Sequence, residues 1–256
     1  MIALLEERIP ELEQMQRYPA SLYYLGNPAL LKRPKISIVG SRKPTPYTKF
    51  MTAELASKLS RTGICIVSGA AMGVDAAAHW GALEGGTIAV MGNGLDIRYP
   101  ATNRELISAI EKRGLALSQF EAGFCATQWS FVLRNEIVTA LGEVLIVTQA
   151  DLNSGSLRSV EFARKMGKKI YVLPHRIGES EGTNALIRQG IAEAIYDIDD
   201  FVGGFVPLVK SAGDAFLEFC RTGPTYEETV TRFGSLVYDY ELDGKIKVAF
   251  GKIQLC

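Results

Sequence analysis

The stretch Lys35-Ile36-Ser37-Ile38-Val39-Gly40-Ser41-Arg42 decides the fold class of this 256-residue chain. A short, continuously apolar run that ends in glycine is typical of a strand buried on both faces and followed by a tight turn. Similar runs recur at 64–67, 87–91, 115–117, 144–147 and 170–173. Helical stretches separate them, at approximately 47–61, 74–84, 103–113, 130–141, 155–166 and 183–190. This alternation predicts an α/β fold, a Rossmann-like, doubly wound, mostly parallel sheet over residues 35–205.

The two ends of the chain differ from this core. Residues 1–34 include the steps Tyr18-Pro19, Asn27-Pro28 and Arg33-Pro34, which interrupt regular structure and predict a short N-terminal cap. Residues 201–213 contain two glycine breaks and predict a connector. Beyond it, an apolar segment, a capping box at Thr225–Glu228 and two short β-type runs predict a winged-helix-like domain over 206–256.

Composition excludes several classes of protein. The 28 basic residues balance the 28 acidic ones, so the chain is not one that coats nucleic acid through a large positive charge. No apolar run approaches the roughly 18 residues that span a bilayer, and the start lacks a basic targeting region, so we expect a cytoplasmic protein without a membrane anchor. The four cysteines and two histidines are widely spaced, so neither a metal site nor a disulfide framework is expected.

Common catalytic and cofactor motifs are missing from the sequence. It contains no phosphate-binding G-x-x-x-x-G-K-[ST] loop, no G-x-G-x-x-G after the first strand and no G-x-S-x-G elbow. Neither histidine is placed to activate a serine. We therefore expect no P-loop ATPase, no dinucleotide or other cofactor and no serine-hydrolase site, while candidate carboxylates remain at Asp75, Asp96, Glu121, Asp151 and Glu161.

The loops that follow the predicted strands are small, hydroxylated and rich in donors. Because the carboxyl ends of parallel strands meet at one edge of the sheet, these loops are expected to form one cleft. Glycines alone would also serve tight βα turns, but together with Arg42 they favour an anion-binding cleft for phosphates. The candidate residues in these loops are Gly40, Ser41, Arg42, Lys43, Ser68, Gly69, Ser154, Gly155 and Ser156.

A second candidate element is the helix start around Phe131, Arg134 and Asn135. An aromatic ring beside an arginine and an amide could stack a base and hold a phosphate. Equally, Phe131 could lie in the core and Arg134 could form an ion pair. The residues themselves leave both interpretations open.

The motifs in these loops resemble those of the DprA/Smf family of DNA-processing proteins. The resemblance runs from about Tyr18 to Asp200 and rests on these motifs: Ile38-Val-Gly-Ser-Arg42, Ser68-Gly-x-Ala-x-Gly-Val-Asp75, Gly92-x-Gly-Leu-Asp96-x-x-Tyr-Pro100, Phe131-x-x-Arg-Asn135, Ser154-Gly-Ser156 and Gly182-Thr-Asn184. It implies a non-enzymatic protein that binds and protects incoming single-stranded DNA and loads RecA recombinase during natural transformation. It also implies a homodimer formed through the Rossmann-like domain. By motif match, the DNA pocket comprises Gly40, Ser41, Arg42, Ser68, Gly69, Phe131, Arg134, Asn135, Ser154, Gly155 and Ser156.

Two other functions remain as alternatives. A nucleotide-processing enzyme resembling the cytokinin-activating phosphoribohydrolases would need a glutamate where this chain has Ser159, and Glu161 could replace it only with a two-residue shift of the helix. A nucleotide-sensing Rossmann protein would hold a nucleotide in the same cleft.

The C-terminal domain is acidic. From Asp214 onward the chain has five basic and seven acidic residues, and two acidic residues, Asp239 and Glu241, fall on the helix that would enter a DNA groove. Such a surface repels phosphates, so we predict that this domain packs on the core or binds protein and does not read duplex sequence.

Overall fold

The computed structural model describes residues 2–205, 212–234, 236–242, 244–249 and 251–255. The chain divides into two compact units, Met1–Gly203 and Gly204–Cys256. In the described part of the chain, none of the helices combines the length and the apolar character that crossing a bilayer requires.

The first unit is built on a mostly parallel sheet, as the sequence predicts. Its strands are β1 (Ala3–Leu4), β2 (Tyr23–Gly26), β3 (Lys35–Val39), β4 (Cys65–Ser68), β5 (Thr87–Val90), β6 (Leu115–Ser118), β7 (Leu145–Val147), β8 (Ile170–Val172) and β9 (Glu193–Ala194). Its α-helices are α1 (Pro46–Arg61), α2 (Val74–Ala82), α3 (Arg104–Arg113), α4 (Gln128–Leu141), α5 (Ser156–Lys165), α6 (Glu181–Arg188) and α7 (Ile198–Gly203). The continuously apolar strands are buried because helices cover them, with α1 packed on α2 and α4 packed on α5.

The order of the strands explains where a ligand can bind. Among the described strands the order is β1-β2-β6-β5-β4-β3-β7-β8-β9, and β3 to β9 are paired in parallel. The chain proceeds outward from β3 to β6 and then returns to place β7 on the other side of β3. The loops after β3 and β7 therefore diverge, and the carboxyl ends of these two strands border a crevice.

The N-terminal segment is more regular than the sequence predicts. Where we expected only a short cap over 1–34, β1 and β2 extend the sheet as antiparallel strands, with β2 paired to β6. The prolines do not interrupt the sheet, because Pro10 and Pro28 each begin a short 3₁₀ helix, where a missing N–H costs nothing.

The second unit contains three helices followed by a hairpin. These are α8 (Ala212–Arg221), α9 (Tyr226–Phe233), α10 (Leu236–Leu242), β10 (Ile246–Ala249) and β11 (Lys252–Leu255), in the order expected of a winged-helix-like module. Its core contains Phe216, Val237 and Ile253. The predicted capping box is present, because the Thr225 hydroxyl accepts from the Glu228 N–H while the Glu228 carboxylate accepts from the Thr225 N–H. The predicted connector is partly wrong, since 201–203 complete α7 and 212–213 begin α8; residues 206–211 lie outside the described part.

Candidate functional site

A cavity of about 630 Å³ opens at the carboxyl ends of β3, β4 and β7, on the edge that the strand order predicts. The structure brings eleven of the twelve predicted residues together around it: Gly40, Ser41, Arg42, Lys43, Gly69, Phe131, Arg134, Asn135, Ser154, Gly155 and Ser156. Residues that sequence reasoning did not place there also line it: Val39, Ala71, Asp75, Val138, Asp151, Asn153 and Ser159.

Ser68 is the predicted residue that the structure does not place at the cavity. Its side chain is fully buried, and its hydroxyl donates to the Ile38 carbonyl at 2.6 Å. Ser68 is the last residue of β4 and points into the protein, so it ties β4 to β3 instead of facing a ligand.

The loop after β3 presents Arg42 to solvent. The Ser41 N–H donates to the Gln149 carbonyl at 2.8 Å, and the Lys43 N–H donates to the Ser41 hydroxyl at 3.1 Å. These bonds hold the backbone on both sides of Arg42, whose guanidinium lies 5.5 Å from the centre of the Phe131 ring. Within the described residues no acceptor is hydrogen-bonded to this guanidinium, so its donors are free to bind an anion.

Phe131 lies in the first turn of α4, which begins after a capping box between Thr127 and Ser130. The ring stacks with Tyr99, with centroids 6.0 Å apart and planes 30° apart. About half of the Tyr99 side-chain surface is exposed. The two rings and Arg42 form a partly open aromatic site at the mouth of the cavity. Sequence reasoning did not include Tyr99 among the candidate residues, although it belongs to the quoted Tyr-Pro motif.

A narrow extension of about 30 Å³ lies beside these rings and shares Arg42, Phe131 and Arg134 with the cavity. Met72, Met91 and Asn93 contribute to its walls. The Asn93 amide nitrogen donates to the Gly94 and Ile97 carbonyls, whereas its side-chain oxygen is buried without a partner among the described residues.

Arg134 is buried and has a positioning role in this structure. Its guanidinium donates to the Gly69 carbonyl and, at 3.0 Å, to the Val90 carbonyl. Burial lowers the pKa of Arg134, while the nearby Asp75 carboxylate acts in the opposite direction. Burial likewise raises the pKa of Asp75, which the positive charge of Arg134 opposes. Arg134 thus joins the loop after β4 to the last residue of β5, and because it also lines the cavity its role in binding a phosphate stays a prediction.

The N-terminus of α5 forms the opposite wall. Gly155 precedes the helix without a side-chain cap, and the Ser156 hydroxyl donates to the Gly40 carbonyl at 2.8 Å. This bond holds the loop after β7 against the loop after β3. The positive end of the helix dipole and Lys43 lie at the same cavity, which favours an anionic ligand.

The loop after β4 depends on a buried, neutral histidine. The Ala70 N–H donates to Nε2 of His79 at 3.2 Å, so this nitrogen is unprotonated, and Nδ1 lies 2.7 Å from the Thr87 hydroxyl. Ala70 has a φ of 55°, a left-handed conformation that needs such support. Burial lowers the pKa of His79 to about 3.

The lowered pKa of His79 predicts that the folded protein loses stability in acid. In the unfolded chain His79 takes up a proton below its ordinary pKa of 6.5, whereas in the folded chain it stays neutral down to about 3, so unfolding is favoured as the pH falls through this range. Between pH 7 and pH 5 the free energy of unfolding should fall by about 2 kcal/mol from this group. Urea titrations at both pH values check this, with His79→Gln as the variant that lacks the titrating ring. An equal decrease in His79→Gln and the wild type would contradict it.

The residues around the cavity bear on the phosphoribohydrolase-like alternative. Within the described residues no three His, Cys, Asp or Glu side chains cluster as metal ligands would. Ser159 lines the cavity where a phosphoribohydrolase-like enzyme would need a carboxylate, and Glu161 is an exposed residue that does not line it. The replacement of the missing glutamate by Glu161 is therefore not seen.

Comparison with known proteins identifies relatives. A family model described as "DNA recombination-mediator protein A" matches residues 1–205. The chain is 37% identical over 193 residues to the DNA processing protein DprA of Streptococcus pneumoniae, covering 73% of this chain and 68% of that protein. It is 35% identical over 201 residues to protein Smf of a Synechocystis strain, covering 75% of this chain and 50% of that protein. The chain thus spans between about half and two thirds of the length of these relatives.

Two solved structures share the fold at substantial identity. A DNA processing protein A from Helicobacter pylori, whose structure is described as giving insight into a single-stranded DNA binding mode, superposes with a TM-score of 0.78 at 41% identity. That match covers 80% of this chain and 95% of the other. DprA of Streptococcus pneumoniae superposes with a TM-score of 0.72 at 35% identity, covering 77% and 70%. The matching family is one of recombination mediators and not of enzymes, in agreement with the prediction from the sequence.

Proposed function

The chain belongs to the DNA recombination-mediator protein A family, and from this we propose that it binds single-stranded DNA in the cavity at the carboxyl ends of β3, β4 and β7. The observation that carries the proposal is the free, exposed guanidinium of Arg42 beside the stacked rings of Phe131 and Tyr99. Arginine binds phosphate through two parallel hydrogen bonds, and aromatic rings stack on any base. An unpaired strand offers both groups at once, whereas in a duplex the base faces are covered.

The contacts of the cavity residues indicate a role for each of them in binding a single strand. Arg42, Lys43 and the N-terminus of α5 would bind phosphate, and Phe131 with Tyr99 would receive a base. Gly40, Gly69 and Gly155 allow the backbone to approach the strand, while Ser41, Ser154 and Ser156 fix the loops and Asn135 accepts from Arg134 at 3.1 Å. Arg134 holds the walls in place and adds a buried positive charge.

The biological role that we propose for this binding is recombination in natural transformation. We propose that the protein protects incoming single strands, loads RecA recombinase onto them and acts as a homodimer through the first unit. The family description and the DNA-processing names of the relatives support a role in recombination. A dimer would place two cavities on one strand and raise the affinity through the second contact.

Loss of the aromatic ring at the site should weaken binding without affecting the fold. Phe131→Ala should reduce the affinity for oligo-dT about tenfold, because stacking of a base on an aromatic ring contributes about 1–3 kcal/mol. Phe131→Trp keeps a stacking surface and should bind within a few-fold of the wild type. Fluorescence anisotropy of a labelled oligonucleotide measures both, with thermal denaturation to show that the variants are folded.

Competition by duplex DNA tests whether the second unit binds duplex. Because the second unit is acidic, we expect duplex DNA to compete poorly with oligo-dT. Equal competition by duplex and single strand, or a Phe131→Ala variant that binds like the wild type, would refute the proposal. A nucleoside monophosphate that stabilises the protein while oligo-dT does not would instead favour nucleotide sensing.

A further inference from the structure

Two exposed aromatic side chains lie on α1 immediately outside the cavity. Tyr47 and Phe50 stand one helical turn apart on the same face, and 48% and 68% of their surfaces are exposed. We call this pair the α1 aromatic face. The loop that contains Arg42 and Lys43 continues through Pro44–Pro46 directly into this first turn, so the face begins four residues after Lys43, which lines the cavity.

Tyr47 contacts a histidine ring although it is exposed. Its ring meets that of His175 edge to face, with centroids 5.9 Å apart and planes at 89°. Nε2 of His175 lies 2.8 Å from the Thr148 carbonyl, next to the end of β7. Phe50 contacts no other ring among the described residues. Two exposed rings side by side offer a surface on which bases can stack.

The charges around the face are mainly positive. Lys43 precedes it and Arg176 follows His175; both are exposed and lack an ion pair within the described residues. Lys49 is also exposed and unpaired there, but it lies on another side of α1, because residues one and two apart on a helix do not face each other. Of the acidic residues, Glu54 lies one turn beyond Phe50 and pairs with Lys58 at 3.1 Å, and Lys58 also pairs with Asp199 at 2.7 Å. Glu179 is exposed in the loop that contains Arg176. Exposed aromatic rings that follow an unpaired cation favour a single-stranded nucleic acid.

We propose that the single strand leaves the cavity past Lys43 and continues over the α1 aromatic face, where Tyr47 and Phe50 each stack on a base. Lys43 contacts the phosphate between the cavity and the face. The inference rests on the proposed function, because it extends the same binding site. The site then recognises a run of several nucleotides and not one nucleotide alone.

Oligonucleotides of two lengths separate the face from the cavity. A tetrameric oligo-dT fills the cavity, whereas a hexadecameric oligo-dT also reaches α1. Phe50→Ala should weaken binding of the hexadecamer about fivefold to tenfold, as expected for loss of one stacked base, and change binding of the tetramer less than twofold. Arg42→Ala should weaken binding of both. Phe50→Leu is the matched control, since it keeps the apolar surface but removes the aromatic ring, and it should resemble Phe50→Ala.

The outcomes distinguish the inference from the proposed function. If wild-type protein binds neither oligonucleotide, the proposed function is wrong and the inference falls with it. If the wild type binds both but Phe50→Ala and Tyr47→Ala leave the hexadecamer unaffected, only the inference is overturned. Light scattering tests whether the face instead forms a contact between copies of the chain, because it measures the size of the species in solution. A variant that dissociates into smaller species and still binds the hexadecamer normally would assign the face to such a contact and overturn the inference.

Discussion

Replacing Arg42 with alanine is expected to weaken binding of single-stranded DNA on the order of 100-fold, from loss of charge-assisted hydrogen bonds to phosphate and of the cation–π contact with Phe131. Because Arg42 is exposed and makes no hydrogen bond within the described residues, the variant should remain as stable as the wild type. Anisotropy titrations with oligo-dT at several salt concentrations measure the effect.

The salt dependence supplies an independent check on the role of Arg42. Each phosphate contact on a single strand contributes roughly 0.7 to the slope of log affinity against log salt, so Arg42→Ala should lower this slope by about that amount. Arg42→Lys keeps the charge but not the planar fork, and it should bind between the wild type and the alanine variant. An unchanged slope and affinity in Arg42→Ala would show that the strand binds elsewhere.

Gly73→Ala is expected to have the largest effect on stability, a decrease of about 3 kcal/mol in the free energy of unfolding. Gly73 precedes α2 with a φ of +84°. A Cβ there would lie 2.7 Å from both the carbonyl carbon and the carbonyl oxygen of Arg42 and would also collide with the Ser41 carbonyl. These are backbone atoms, so no rotation of a side chain relieves the contact. The loop that carries Arg42 must move, and single-strand binding should fall with stability.

Gly178→Ala is the matched control for this substitution. Gly178 has the same φ of +84°, but a Cβ there would meet no atom within 4 Å. It should therefore show only the cost of the backbone conformation, about 1 kcal/mol. Urea unfolding of the two variants compares them directly. Equal stability losses would mean that the close approach of Gly73 to the loop after β3 is not significant.

The parallel core could be predicted because its signals are local. Runs such as Ile36–Val39 are short and apolar on both faces, and the residues after them converge wherever the sheet is parallel. Arg42 and Ser156 were found in this way. Strand β2 could not be, because its stability comes from pairing with β6, which lies about ninety residues further along the chain.

The directions of the side chains in the site could not be predicted from the loop motifs, for a physical reason. A loop motif indicates which residues are near the carboxyl edge but not which way each side chain points. Ser68 is the last residue of its strand and turns inward, so it bonds to Ile38 and not to a ligand. Arg134 has the residue type of a phosphate ligand, yet it is buried and donates to the Gly69 and Val90 carbonyls and to the Asn135 side chain. Tyr99 becomes part of the site only because the fold places its ring on Phe131.

Photochemical crosslinking tests the position of the strand most directly. Oligo-dT that carries 5-iododeoxyuridine at single positions is irradiated in complex with the full chain, and the crosslinked peptides are identified by mass spectrometry. The cavity predicts crosslinks to Phe131 or Tyr99, and their loss when unlabelled single strand competes. Crosslinks confined to the second unit, Gly204–Cys256, would contradict the assignment of single-strand binding to the cavity.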